Sequence, residues 1–348
     1  MACSYHQRDE MTARPYIANK MTKLLSLEAS RKRLFLACTI TGTLCLTFVA
    51  YAAGGWTTPV ALSTPIPPTY YVKSPVVAIN SSGAQAAAWV NEDNYLLLQV
   101  AAQDAGGSWT AAQTLTPASG VNAATPSVAI SPTGNAVAVW EIYANQGYVI
   151  QASTRQAHGS WTKATSVTQP GNSTSPKVGM GGNGNAVAVW IQTTSNAGAI
   201  ETANLPASGT WTSPVALSTP GVSATNPTLA VNSLGDAIVG WQTTSGQILV
   251  AQRTAGVWSA PISIAPAAYR QGSPNVALNN RGDAAIAWTG RGTALVATRP
   301  AGGTWSAPLT ISTQSSGASA RIALDDSGNA GHDIPVGEIY GRLLCLSR

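Results

Sequence analysis

Between residues 75 and 330 the chain alternates short apolar runs with polar, glycine-containing connectors, and the alternation is periodic. Pro75, Pro126, Pro176, Pro227 and Pro274 each stand 8 residues before a glycine (Gly83, Gly134, Gly184, Gly235, Gly282), and each glycine stands 6 residues before a tryptophan. The block reads P-x-V-A-I-x-x-x-G-[ND]-A-x-A-x-W, as in PSVAISPTGNAVAVW from Pro126. Two runs of strand length around a glycine predict a β-hairpin, because glycine supplies the positive φ that a tight turn needs. Within Ala136 to Trp140 the tryptophan and alanines fall on one face and Val137 and Val139 on the other. Both faces are apolar, so the strand is expected to be buried on both sides.

A third run follows each hairpin (YVIQASTR from Tyr148, GQILVAQR from Gly246, TALVATR from Thr293), then a turn and a W-[TS]-x-P-x-x-[LI] run. The tryptophans keep this time. Trp56, Trp109, Trp161, Trp211, Trp258 and Trp305 recur at spacings of 47 to 53 residues, and Trp89, Trp140, Trp190, Trp241 and Trp288 at 47 to 51. The two series account for all 11 tryptophans, which makes them scaffold first. Four short antiparallel strands per ~50-residue repeat predict an all-β fold, a β-propeller whose blades stack because none can bury both faces alone. Immunoglobulin-like sandwiches need ~100 residues per unit, and membrane barrel strands carry one polar face.

The Ser-, Thr-, Pro- and Gly-rich stretches between each W-run and the next proline suit crossings between blades. Blades are then expected at 75–115, 126–167, 176–217, 227–264 and 274–311, with a sixth from 321–348 closed by the N-terminal run 56–63. The sixth copy is degenerate: Arg321-Ile322-Ala323-Leu324 and Gly328-Asn329-Ala330 hold register, but Ile334 stands where tryptophan is due. The tail beyond Ala330 reads as an abrupt divergence, such as a shifted reading frame, with a weak third strand expected within Ile339 to Leu346.

Charge is scarce, at 9% of residues, and the formal +5 is unevenly placed. Residues 1–52 hold seven basic and three acidic side chains, leaving twelve and eleven in 53–348. The nearly neutral body has no basic stripe for nucleic acid. Residues 34–52 are uncharged and follow Arg31-Lys32-Arg33, which predicts a hydrophobic helix serving as a cleaved secretory signal or an uncleaved membrane anchor. The expected domains are therefore 1–52 as signal or anchor and 53–348 as propeller, and the expected location is extracytoplasmic: secreted, periplasmic or at the cell surface. Of four cysteines only Cys345 lies in the body, so no internal disulfide is available there.

The W-[ST]-x-P and G-[ND]-A-x-A-x-W motifs over residues 56–330 resemble those of uncharacterised bacterial secreted β-propellers. That resemblance implies the fold and no activity. A more distant likeness to sialidase-like propellers implies an Asp-box, S-x-D-x-G-x-T-W, which this chain lacks. Arg155, Arg253 and Arg299 invite comparison with the arginine triad of such enzymes, but they share one repeat position and read as solvated strand ends. Asp236 and Asp283 alternate with Asn135, Asn185 and Asn329 in one slot, as turn formers do. Two histidines in the body offer no triad or metal site, and no cofactor is expected.

Departures from the repeat gather where strands 2 and 3, and successive blades, connect. Tyr70 and Tyr71 precede the first blade; Glu92, Asp93 and Tyr95 fall in its 2–3 loop; Glu141, Tyr143 and Tyr148 in that of the second; Tyr269 and Arg270 precede the fifth, and Arg291 follows Trp288. Aromatic rings beside acids suit recognition of a glycan or an extracytoplasmic protein. The expectation is a non-enzymatic binding propeller. The alternatives are a glycoside hydrolase or lyase using Glu92, Asp93 and Glu141, and a purely structural surface protein.

Overall fold

A computed structural model describes residues 58–63, 71–117, 120–144, 147–195, 197–207, 209–266, 272–312, 320–333 and 344–346. These residues contain no helix and form six antiparallel sheets. The first comprises Val72–Ile79, Gln85–Asp93, Tyr95–Gln103 and Gln113–Thr114, hydrogen-bonded in that order, and the second repeats it with Asn122–Ile130, Ala136–Ala144, Gly147–Arg155 and Thr165–Ser166. The third, fourth and fifth follow the same order, their inner strands being Ser173–Met180, Ala224–Val231 and Asn275–Leu278, and the fourth has a fifth strand, Ile262–Ala265, also paired with its third, Ile248–Thr254. Inner strands of consecutive sheets pack on one another, which is the stacking of a β-propeller. The expected anchor segment, 34–52, lies outside the described residues.

The doubly apolar second strands explain the stacking. Ala136, Ala138 and Trp140 join Ala86, Ala88, Val90, Leu98 and Val100 of the first sheet, while Val137 and Val139 on the opposite face join Ala186, Ala188 and Trp190 of the third. The same rule repeats along the chain: each tryptophan face meets the aliphatic face of the preceding sheet. All five tryptophans of this series are buried. Fully burying a large apolar side chain contributes roughly 1.5–3 kcal/mol, which an isolated sheet could not recover.

The hairpin glycines adopt the expected left-handed backbone, with φ between 80° and 90° at Gly83, Gly134, Gly184, Gly235, Gly282 and Gly328. The fourth strands are shorter than the sequence suggests, mostly two residues. Their W-x-x-P segments lie at the outer edge, where a proline without an N–H interrupts the ladder at little cost. The inner strands carry a feature the pattern did not show. Ser74, Thr125, Ser175 and Asn226, each directly before the repeat proline, have φ of 46° to 57°, and the register of each strand shifts there by a bulge.

At the degenerate end Arg321–Leu324 and Ala330–Asp333 pair, and Leu344–Leu346 adds a third strand, within the span expected for it. Residues 58–63 form no strand, yet Leu62 packs on Ala87, Trp89 and Ala101 of the first sheet. That position matches Leu115, which joins the cluster around Trp140. Val77 and Ile79 of the first inner strand stay exposed, whereas Val178, the repeat equivalent of Val77, is buried.

Candidate functional site

The 2–3 connections are tight, so most residues expected in loops belong to strands. The second strand of the first sheet runs to Asp93 and the third begins at Tyr95; in the second sheet Ala144 pairs with Gly147. Tyr143 and Tyr148 are paired across that hairpin, 53% and 37% exposed, with ring centroids 5.1 Å apart and planes inclined by 57°. Tyr71 and Tyr95 are exposed at the same end of the first sheet, where the Tyr71 carbonyl accepts from the Glu92 N–H. Arg291 occupies an exposed two-residue turn with Gly292, both at positive φ, in the manner of a type I′ hairpin. Tyr70, Tyr269 and Arg270 lie outside the described residues, as does the side chain of Asp93.

The described acids do not share one cluster. Glu92 pairs with Lys73 of its own sheet, Oε2 to Nζ at 2.7 Å. Glu141 is buried, and its Oε2 accepts the Ser175 N–H at 2.7 Å, a backbone group that the bulge withdraws from its own ladder. Each carboxylate is thus committed to a structural partner.

The opposite end of the sheets corrects the reading of the arginines. Arg155 and Arg299 are buried rather than solvated. Arg155 pairs with Asp104 of the preceding sheet, Arg253 Nη1 donates to the Gly235 carbonyl at 2.7 Å, and Arg299 Nη2 donates to the Gly282 carbonyl at 3.0 Å. Arg253 and Arg299 thus make the same bond to their hairpin glycines, whereas Arg155 at that repeat position bonds to the neighbouring sheet. The Asn/Asp slot behaves as a turn element with a defined role. Asn135, Asn185, Asp236 and Asp283 each accept, through Oδ1, the N–H of the 3–4 turn residue Ala157, Ala207, Ala255 or Ala301, at 2.8 to 3.0 Å. Only an acceptor is required, which is why amide and carboxylate interchange there.

Two side chains that the repeat pattern did not single out line one cavity among the inner strands of the third to sixth sheets. A cavity of about 280 Å³ is lined by Lys177, Arg321, Ser175, Asn226, Thr228 and Asn275, with Pro227 and Pro274 on its wall. Lys177 and Arg321 both stand one residue after the repeat proline position, as do Ser127, Thr228 and Asn275. Burial pushes the Lys177 ammonium below its ordinary 10.5, Glu141 opposes that and Arg321 adds to it. A second cleft of about 540 Å³, between the outer strands of the second and third sheets, is lined mainly by Ser and Thr side chains and Trp211.

No family model and no curated protein matches the chain in sequence. Among solved structures it is similar to a protein of unknown function from Dyadobacter fermentans, with 13% identity over 79% of this chain and 93% of that one and a TM-score of 0.50. It is also similar to a GH93 α-L-arabinofuranosidase of Fusarium graminearum (14% identity, 78% of this chain and 90% of that one, TM-score 0.49). A third is the fucose-specific lectin from Aleuria aurantia (14% identity, 77% and 89%, TM-score 0.44).

Proposed function

We propose that this chain is an exported six-bladed β-propeller that binds a glycan without turning it over, through the end of the sheets where second and third strands meet. The observation that carries the reading is the Tyr143–Tyr148 pair, two exposed rings with centroids 5.1 Å apart on paired strands. Such rings offer apolar faces to the C–H face of a sugar at little entropic cost, and their hydroxyls remain free for polar contacts. Tyr71 and Tyr95 extend the aromatic surface on the first sheet. The commitment of Glu92 to Lys73 and of Glu141 to the Ser175 N–H favours binding over acid–base chemistry. Six sheets among the described residues support the count of six blades, with Leu62 on Trp89 taken as the stand-in for an outer strand of the last. Export rests on the uncharged run 34–52 behind Arg31-Lys32-Arg33.

A glycan array probed with the full chain tests the reading. Binding to a defined glycan that falls about tenfold or more in Tyr143→Ala and Tyr148→Ala, with the unfolding temperature unchanged, supports it. Absence of any glycan bound, or binding that survives both substitutions together, overturns it.

A further inference from the structure

The cavity is lined by residues of one repeat position, which in two of the sheets bonds across the seam to the next. Ser127 Oγ accepts the Val178 N–H of the next sheet at 3.1 Å, and Asn275 Oδ1 accepts the Ile322 N–H at 2.9 Å. Lysine and arginine carry donors only and cannot accept such a bond. Lys177 and Arg321 place cations at this position instead, and both line the same cavity. Ser175, Ser273 and Asn226 add neutral polar residues to its lining, the Asn226 Nδ2 donating to Gln242 Oε1 at 3.4 Å. No carboxylate lines it among the described residues, since Glu141 sits behind Ser175 with Oε2 on the backbone N–H.

We infer that the axial cavity is a binding site for a small oxyanion, a carboxylate or sulfate group, held between Lys177 and Arg321. Lys177 is partly buried and Arg321 exposed at the cavity, and an anion between them would accept a charge-assisted hydrogen bond from each. Burial weakens the hold of Lys177 on its proton, Glu141 opposes this and Arg321 adds to it, and an anion in the cavity would favour the charged ammonium. The cavity volume admits a carboxylate or sulfate with the first atoms of whatever carries it, so a free inorganic anion and the acidic group of a sugar share the same chemistry here. This site is separate from the exposed tyrosines and does not depend on the glycan reading.

Isothermal titration of the full chain in non-ionic detergent, at constant ionic strength in chloride, tests it with sodium sulfate, sodium glucuronate and uncharged glucose as probes. Saturable binding of sulfate or glucuronate with a dissociation constant near ~1 mM or below, and none of glucose, is expected. Tighter glucuronate identifies an acidic sugar as the source; sulfate alone identifies a free inorganic anion. Lys177→Met and Arg321→Ala should each weaken binding about tenfold or more, and Lys177→Arg should retain it. Tyr143→Ala should leave it unchanged, which separates this site from glycan binding. Heats that do not saturate, or equal affinity in the wild type and a folded Lys177→Met or Arg321→Ala, overturn the assignment.

Discussion

Arg155 of the second sheet grips Asp104 of the first through two parallel hydrogen bonds, Nη1 to Oδ1 at 3.0 Å and Nη2 to Oδ2 at 2.9 Å. The Arg155 side chain is 2% exposed and that of Asp104 24%, and this fork ties neighbouring sheets. The His158 N–H, on a residue at φ 61°, also donates to Asp104 Oδ1 at 3.2 Å. Asp104→Ala leaves a buried cation unpaired and is expected to lower stability by about 3 kcal/mol in urea unfolding.

The same pair sets an acid sensitivity. The hydrogen bonds from Arg155 hold the Asp104 carboxyl below its ordinary 3.8, against the opposing effect of burial. A carboxyl depressed in the fold contributes stability that is complete above its unfolded value and is lost as pH falls from there through the folded one. The wild type should therefore lose more stability than Asp104→Asn on acidification below about pH 4. Equal losses measured by chemical denaturation would show that the pair is not the acid-sensitive element.

Lys177 carries the opposite sign. Because its folded value lies below the ordinary 10.5, the fold disfavours its charged form, and stability rises with pH from the folded value up to the unfolded one. Lys177→Met should leave stability at pH 7 unchanged or raised, with Glu141 and Arg321 the charged groups whose balance it alters. Thermal unfolding of the two proteins side by side reads this directly.

Two valines at one repeat position should differ sharply. Val178 is buried between sheets, and Val178→Ser is expected to cost about 2 kcal/mol or more. Val77 is exposed, and Val77→Ser should be neutral within about 0.5 kcal/mol. A comparable loss at Val77 would mean that the sixth sheet closes against the first and covers it.

The Asn/Asp slot gives a milder contrast. Asn185→Asp keeps the acceptor for the Ala207 N–H and should be tolerated, whereas Asn185→Leu should cost about 1 kcal/mol. Circular dichroism melts of both variants decide it.

Much of this architecture is visible in spacing. The hairpin glycines and the buried second tryptophans stand where periodicity put them, because strand pairing and turn conformation are local and repeat with the sequence. The candidate residues were less legible. Glu141 read as a loop acid and is a buried strand residue bonded to the next sheet; Arg155 and Arg299 read as solvated and are buried. Their partners lie in other repeats, Ser175 and Asp104, and no window of local sequence contains both halves of such a bond.

By itself, then, the sequence determined the β class, the four-strand unit and the doubly apolar strands that force sheets to stack. Only the tertiary structure decided which charges meet. Lys177 and Arg321 are separated by most of three repeats, and it is the stacking of inner strands that lines one cavity with both. Burial and Coulomb interaction depend on distance in space, and a repeat specifies what each unit presents to the axis without saying which units will face one another across it.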